Sequence, residues 1–569
     1  MSKKTFDFRK SDIIRQYGKE AGFGFITEEG RRNDELLRLS ELALGFEVPY
    51  WYRDENMSYI KLDERGCYID SEEVTKRIEA QEGRLIPLCF KADVEQSGNY
   101  EVSVEFYGEG EVLLFAGARR LVYRGNIIPA RSVTVVFPFC VCDVVPRTKT
   151  VRYDRRSIGV SLLGKNAKLS SLTIRRVDCP TIHIAGDSTV TDQPAEYPYS
   201  PATSYSGWGQ MLGMFIRDGV SIANHSHSGL TVESFRTEGH YDILRGQLKA
   251  GDHVFMQFAH NDQKQKHLMA RGGYRDGLIA YIKETREAGA FPVIVTPLAR
   301  NTWKPDGSYN DLLEEYAKVC VELGSEYDVP VLDLHALSMA FVKEKGLEGA
   351  KPYYFPRDYT HTNDYGAYKM AGFIADEIRG KIDGLSQFVT YESGEWEPHG
   401  AEEPPVPPER YRYISNPAGN TELFADLERP DDMLIRAEAI DMVIKAAKFF
   451  PTNVFNDVYD DIAGHEWYAG AVECAYQNEI IPPQMVENKR LMPQKKITTQ
   501  EFIALMMSAC KGRRALPKEE PCVYDDKCAP YCVPFVRTAY SMGIIGDGED
   551  MGALITRGHA AKMCRGLNI

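Results

Sequence analysis

No run of about 18 apolar residues occurs in the 569-residue chain, which excludes a membrane-spanning helix. The opening Met1-Ser-Lys-Lys-Thr-Phe-Asp-Phe-Arg-Lys10 carries early positive charge but no apolar stretch and no small-residue cleavage site. It does not read as a secretory signal, so the expected compartment is the cytoplasm. The 12 cysteines include no Cys-x-x-Cys pair, and no histidine follows Cys522, Cys528 and Cys532 at a zinc-finger spacing. Reduced, mostly buried thiols are expected, and no metal. Basic residues are outnumbered: 68 Lys and Arg against 82 Asp and Glu give a net charge of −14. That balance excludes non-specific nucleic-acid binding.

The charge is uneven. Residues 1–178 hold 29 basic and 27 acidic residues, and within 119–176 the ratio is 13 to 2. Such a run is either a solvated, domain-docking face or a surface that meets an acidic ligand such as a uronate-containing glycan.

What is present divides into segments, as a chain of this length requires. Residues 1–178 contain short alternating strands, among them Tyr100–Phe106, a second after the Gly108-Glu-Gly110 turn, and Ser157–Leu163. Phe6-Asp-Phe and Gly22-Phe-Gly-Phe add edge-strand candidates. The spacing predicts an N-terminal β-sandwich. From residue 179 to 385 apolar strands (181–185, 220–223, 253–258, 292–296, 329–333) alternate with helical stretches, the pattern of a parallel sheet. Residues 386–430 are a Pro/Glu-rich linker, including Glu402-Glu-Pro-Pro-Val-Pro-Pro-Glu409. In 431–569 a helical pattern repeats, Trp467-Tyr-Ala-Gly-Ala-Val recurring as Tyr531-Cys-Val-Pro-Phe-Val. The overall expectation is a multidomain protein whose C-terminal part is an all-α repeat module.

The chemistry collects at strand exits, where open α/β sheets place it. Gly186-Asp187-Ser188 follows the strand 181–185 directly. A serine hydroxyl becomes nucleophilic only when a base takes its proton. His361 in Asp358-Tyr-Thr-His361-Thr-Asn363 is the candidate base, and Asp358 is close enough in sequence to orient its ring. Asn261, after the third strand, offers a side-chain amide to an oxyanion, and Gly229, after the second, a backbone N–H. His225-Ser-His227 could be taken for a metal pair, but no third ligand accompanies it. Trp208 can stack on a sugar or pack on the first helix.

These residues resemble the SGNH (GDSL-type) hydrolases, whose four blocks supply Ser, Gly, Asn and His; here they match Ser188, Gly229, Asn261 and His361. Gly186-Asp-Ser-Thr-Val190, Gly207-Trp-Gly-Gln210, His260-Asn-Asp-Gln263, Thr296-Pro…Arg300 and Asp358–Asn363 are similar, as a set, to rhamnogalacturonan acetylesterases. The resemblance implies a flavodoxin-like three-layer fold and removal of acetyl groups from carbohydrate, with neither metal nor cofactor. It makes Ser188 the nucleophile, His361 the base and Asp358 its partner, with Ser188 N–H, Gly229 N–H and Asn261 as the oxyanion hole. Thr189, Trp208, Asn301 and Asn363 become the candidate substrate-binding residues. The family's glycine before His-Asn-Asp is Ala259 here, a change expected to fit. Leu230-Thr231 and Asn301 replace an Arg-Ser pair and a second arginine, departures expected at the substrate rim.

Ile435-Arg-Ala-Glu438, Thr498-Thr-Gln-Glu501 and Thr556-Arg-Gly-His559 resemble degenerate S-layer homology motifs, implying a module that packs on the esterase or drives homo-oligomerisation. The N-terminal domain is placed like a carbohydrate-binding one. The expected partner is an acetylated, pectin-derived oligosaccharide. The alternatives are an SGNH esterase on a lipid, thioester or sialate, and a non-catalytic glycan- or wall-binding protein.

Overall fold

The computed structural model describes residues 3–27, 44–46, 57–70, 86–146, 151–195, 199–216, 218–304, 307–356, 358–390, 394–398, 430–447, 449, 459–462, 466–511 and 516–567. They form two compact units, Met1–Asn301 with Asp311–Pro404, and Thr302–Asn310 with Pro405–Ile569. The boundary expected at residue 178 therefore falls inside one unit. The proline cluster 402–409 lies outside the described residues.

The first unit opens with nine strands: β1 (Lys3–Asp7), β2 (Phe23–Phe25), β3 (Ile60–Asp63), β4 (Gly66–Ile69), β5 (Leu88–Asp93), β6 (Gly98–Ala116), β7 (Arg120–Ile127), β8 (Val133–Val141) and β9 (Ser157–Arg176). All nine are joined in one hydrogen-bonded network through the two long strands β6 and β9, with β8 paired along the first half of β6 and β7 along the second. The Gly108-Glu109-Gly110 segment, read as a turn, lies inside β6. Both halves of β6 pair with β9, and the surplus residues are absorbed by register shifts at Glu105/Phe106, Tyr107/Glu109 and Glu109/Val112. Bulges of this kind let a long strand bend without ending, and glycine tolerates them. The apolar face gathers Phe6, Phe8, Phe25 and Phe90, whose rings meet edge to face at 4.8–5.2 Å around Phe90.

Five further strands, β10 (Thr181–Gly186), β11 (Ser221–Asn224), β12 (His253–Gln257), β13 (Phe291–Val295) and β14 (Val331–Leu332), make an all-parallel sheet in the order β11-β10-β12-β13-β14. This is the flavodoxin-like order, and its switch point lies at the carboxyl end of β10. The central strands β10 and β12 are buried at every residue, as strands covered on both faces must be. The helices Arg275–Glu287 and Glu314–Tyr327 pack on one face through Leu278, Tyr281, Ile282, Val319 and Leu323. The helix Asp364–Lys381 begins immediately after the Asp358–Asn363 motif.

The basic run 119–176 is largely paired. Arg124, Arg152, Arg156, Lys165, Lys168 and Arg175 each hold a carboxylate. Arg119, in the β6–β7 turn, and Arg120, the first residue of β7, cross into the parallel-sheet region and bind Asp364 and Asp192.

In the second unit the regular elements among the described residues are helices, including Arg436–Ala446, Thr499–Lys511 and Arg557–Arg565. Their leading residues close a ring: Leu434 N–H donates to Ile555 O, Ile555 N–H to Ile497 O, and Ile497 N–H to Leu434 O. Arg436 pairs with Glu501, and Arg557 with Glu438. At the third equivalent position the two charges are replaced together, by Thr499 and His559. Thr499 Oγ1 bonds Ala553 O and His559 pairs with Glu549. Among the described residues no helix is long and apolar enough to cross a membrane.

Candidate active site

β10 delivers Ser188 to the switch point, and the loop before the helix Asp364–Lys381 delivers His361 to the same place. Ser188 Oγ lies 2.8 Å from His361 Nε2, and His361 Nδ1 lies 2.8 Å from Asp358 Oδ2. Asp358 Oδ1 accepts the N–H groups of Thr360 (2.7 Å) and His361 (2.9 Å), so the three-residue spacing bends the chain around its own carboxylate. With Oδ2 accepting from Nδ1–H, Nε2 is left to accept the serine proton. Burial raises the Asp358 carboxyl, but the imidazole and these amides outweigh it and hold it below the usual carboxylate range.

The serine turn has its own brace. Asp187 Oδ1 accepts Thr189 N–H (2.9 Å) and its hydroxyl (2.8 Å), while Oδ2 meets His260 Nδ1 at 3.2 Å. Burial raises Asp187, and His260 overrides it, leaving the carboxyl below its ordinary value. Gly207 packs against this turn: a Cβ there would stand 2.2 Å from Val190 C, so the close approach requires glycine.

Gly229 sits at φ +88° and is exposed. Its neighbour Ser228 receives a hydrogen bond from Gln193 Nε2, which also donates to Ser188 O. Its other neighbour, Leu230, accepts Asn261 Nδ2 at 3.0 Å. The Gly229 loop is thus tied to the serine on one side and to Asn261 on the other.

The four expected substrate contacts are all buried, and each side chain has hydrogen-bond partners inside the fold. Trp208 is 0% exposed and donates Nε1–H to Gln257 Oε1 at 2.8 Å. Gln257 passes the chain on to Thr189 Oγ1 at 2.6 Å, so Trp208 and Thr189 both support the serine turn from inside. Asn363 caps the helix Asp364–Lys381 by accepting Gly366 N–H, and its Nδ2 donates to the carbonyls of Ala202, Pro352 and Tyr354. Asn301 Nδ2 donates to Leu347 O and its N–H to Tyr359 O. Leu230 is buried in the apolar cluster and Thr231 exchanges hydrogen bonds with Ser234, so neither stands at a rim. A buried polar side chain must find partners inside, and these have done so.

Two features escaped the sequence reading. Tyr205, only partly buried, donates its hydroxyl to Asp358 Oδ2 at 3.4 Å, meets the His361 ring edge-on at 5.8 Å and stacks on Phe355 at 3.6 Å. Its place two residues before Gly207 was the available signal. The second is Ala259: the space fits, but its φ is +114°, a conformation natural to glycine and strained for alanine.

A model of the GDSL-like lipase/acylhydrolase family matches residues 184–368, which contain all of these side chains. The chain is 32% identical over 211 residues to the rhamnogalacturonan acetylesterase RhgT of Bacillus subtilis, covering 35% of this chain and 88% of the relative. It is 31% identical over 206 residues to the probable rhamnogalacturonan acetylesterase YesY of the same organism, covering 35% and 92%. The crystal structure of Bacillus subtilis YxiM aligns at 21% identity over 67% of this chain and 100% of its own, with a TM-score of 0.36.

Proposed function

We propose that this chain, which belongs to the GDSL-like lipase/acylhydrolase family and is a carboxylic ester hydrolase, removes O-acetyl groups from rhamnogalacturonan-type oligosaccharides through an acyl-enzyme on Ser188. What supports the reading above all is the Asp358–His361–Ser188 hydrogen-bond chain, two 2.8 Å contacts that end on a hydroxyl at the sheet's switch point. His361 Nε2 takes the Ser188 proton as Oγ attacks the acetyl carbonyl, and Asp358 stabilises the imidazolium that forms. The developing oxyanion is received by the N–H groups of Ser188 and Gly229 and the amide of Asn261. His361 then gives its proton to the departing sugar oxygen. Water, deprotonated by the same nitrogen, releases acetate and restores Ser188. The similarity to rhamnogalacturonan acetylesterases supports the carbohydrate acetyl ester as substrate.

The test is acetate release from acetylated rhamnogalacturonan fragments beside acetylated xylan, with Ser188→Ala as control. Release from the first substrate, lost in the variant, is expected. A Ser188→Ala protein with full activity on p-nitrophenyl acetate would overturn the mechanism. Preference for xylan would overturn the substrate alone.

A further inference from the structure

Between the N-terminal sheet and the parallel sheet lies a cavity of about 70 Å³, lined by Val145 and Arg155 on one side and by Gln193, His225 and His240 on the other. It has room for a polar group of a few non-hydrogen atoms. Arg155 is 6% exposed. Among the described residues its guanidinium has one partner, Cys142 Sγ at 3.6 Å from Nη2, and its Nε is buried with none. Nearby arginines differ: Arg119, Arg120, Arg152 and Arg156 each hold an aspartate. A guanidinium carries five donors and a charge that is costly to bury without a countercharge.

The opposite wall carries an imidazole. His240 is 5% exposed, and its ring lies against His227 at 5.0 Å and Phe235 at 5.8 Å. Burial, with His227 beside it, pushes its pKa down to about 3, so it presents a neutral ring with one N–H. His225 is anchored from behind: its Nε2 meets His183 Nδ1 at 3.1 Å, and His183 Nε2 meets Asp252 Oδ2 at 3.3 Å.

We propose that this cavity binds one small monocarboxylate group, held by the Arg155 guanidinium and the His240 imidazole. Arg155 supplies the planar fork that matches a carboxylate. The charge count selects a monoanion. Asp143 and Asp192 also line the cavity but are matched by Arg152 and Arg120, so with Cys142 as the neutral thiol Arg155 leaves one positive charge over. A dianion such as phosphate would face both carboxylates. Gln193 lines the cavity and also holds Ser188 O, so an occupant would touch the support of the serine turn.

The countercharge has one internal rival. A hydrogen bond from Cys140, reinforced by Arg155 and Arg120, draws the Cys142 thiol down to about 6.

The experiment is calorimetric titration of the full chain with sodium acetate, a free acid that fits whole, and with sodium galacturonate, a carboxylate carried on a sugar. One equivalent of either should bind. Affinity should fall at least tenfold in Arg155→Met and in His240→Phe, the latter keeping the ring beside Phe235. It should persist in Ser188→Ala, which separates the cavity from the esterase site, and in Cys142→Ser. Arg155→Met should fold at least as well as the wild type in carboxylate-free buffer, because an uncompensated buried charge has been removed. Binding of neither probe, equal binding of inorganic phosphate, binding unchanged by Arg155→Met, or loss of binding in Cys142→Ser would each overturn the assignment.

Discussion

Arg119 Nη1 stands 2.8 and 2.6 Å from the two carboxylate oxygens of Asp364, and both side chains are fully buried. Arg119 comes from the β6–β7 turn, and Asp364 opens the helix that follows His361. The same guanidinium donates to Gln193 O and Tyr205 O. The N-terminal sheet is therefore a brace for the loops that carry the serine and the histidine. Breaking one partner leaves a buried charge alone, so Arg119→Met should cost about 3–5 kcal/mol in urea unfolding. Adding Asp364→Asn should recover part of that loss. A purely additive double variant would sink the pairing.

Asp358→Asn keeps the shape of the side chain but removes the acceptor that sets the His361 tautomer. A fall in kcat of about 10⁴ is expected, and about 10²–10³ for Asn261→Ala. Both follow from initial rates on an acetyl ester, with circular dichroism to confirm folding.

Trp208→Phe separates scaffold from sugar stacking. Loss of its indole N–H leaves Gln257 Oε1 without its donor, at a cost of about 1–3 kcal/mol in stability. Because the ring is sealed from solvent, KM for the oligosaccharide should not change. A raised KM with unaltered stability would return Trp208 to the substrate.

At Ala259 the backbone strain is removable. Ala259→Gly should stabilise the fold by about 1 kcal/mol, read as a higher urea midpoint, because glycine adopts φ +114° freely. Ala259→Val should lose more than that amount.

Asp262 provides a pH signature. Burial pushes its carboxyl up to about 7, against about 4 in the unfolded chain. A raised carboxyl contributes fully below pH 4, and its contribution is lost as pH rises through 7. Asp187 and Asp358 are held below the ordinary value, so they lose stability only in more acid solution. Between pH 5 and 8 the stability of Asp262→Asn should therefore gain on that of the wild type. A gap independent of pH over that window would disprove the raised carboxyl.

The sequence by itself determined the five parallel strands, to within two residues at every end, and the positions at which reactive side chains leave them. Both rest on short-range physics: apolar runs give buried strands, and Asp358 reaches His361 across three residues because the loop folds on its own amides. The tertiary structure decided the rest. Arg119 and Asp364 are 245 residues apart, a contact no local pattern records. Dense packing gave Trp208, Thr189, Asn301 and Asn363 each a buried partner, and a motif cannot say which way its side chains face. The joining of all nine N-terminal strands through β6 and β9 has the same origin. Gly108-Glu-Gly110 is a turn by its local preference, and a bulge only because both flanking halves of β6 find β9.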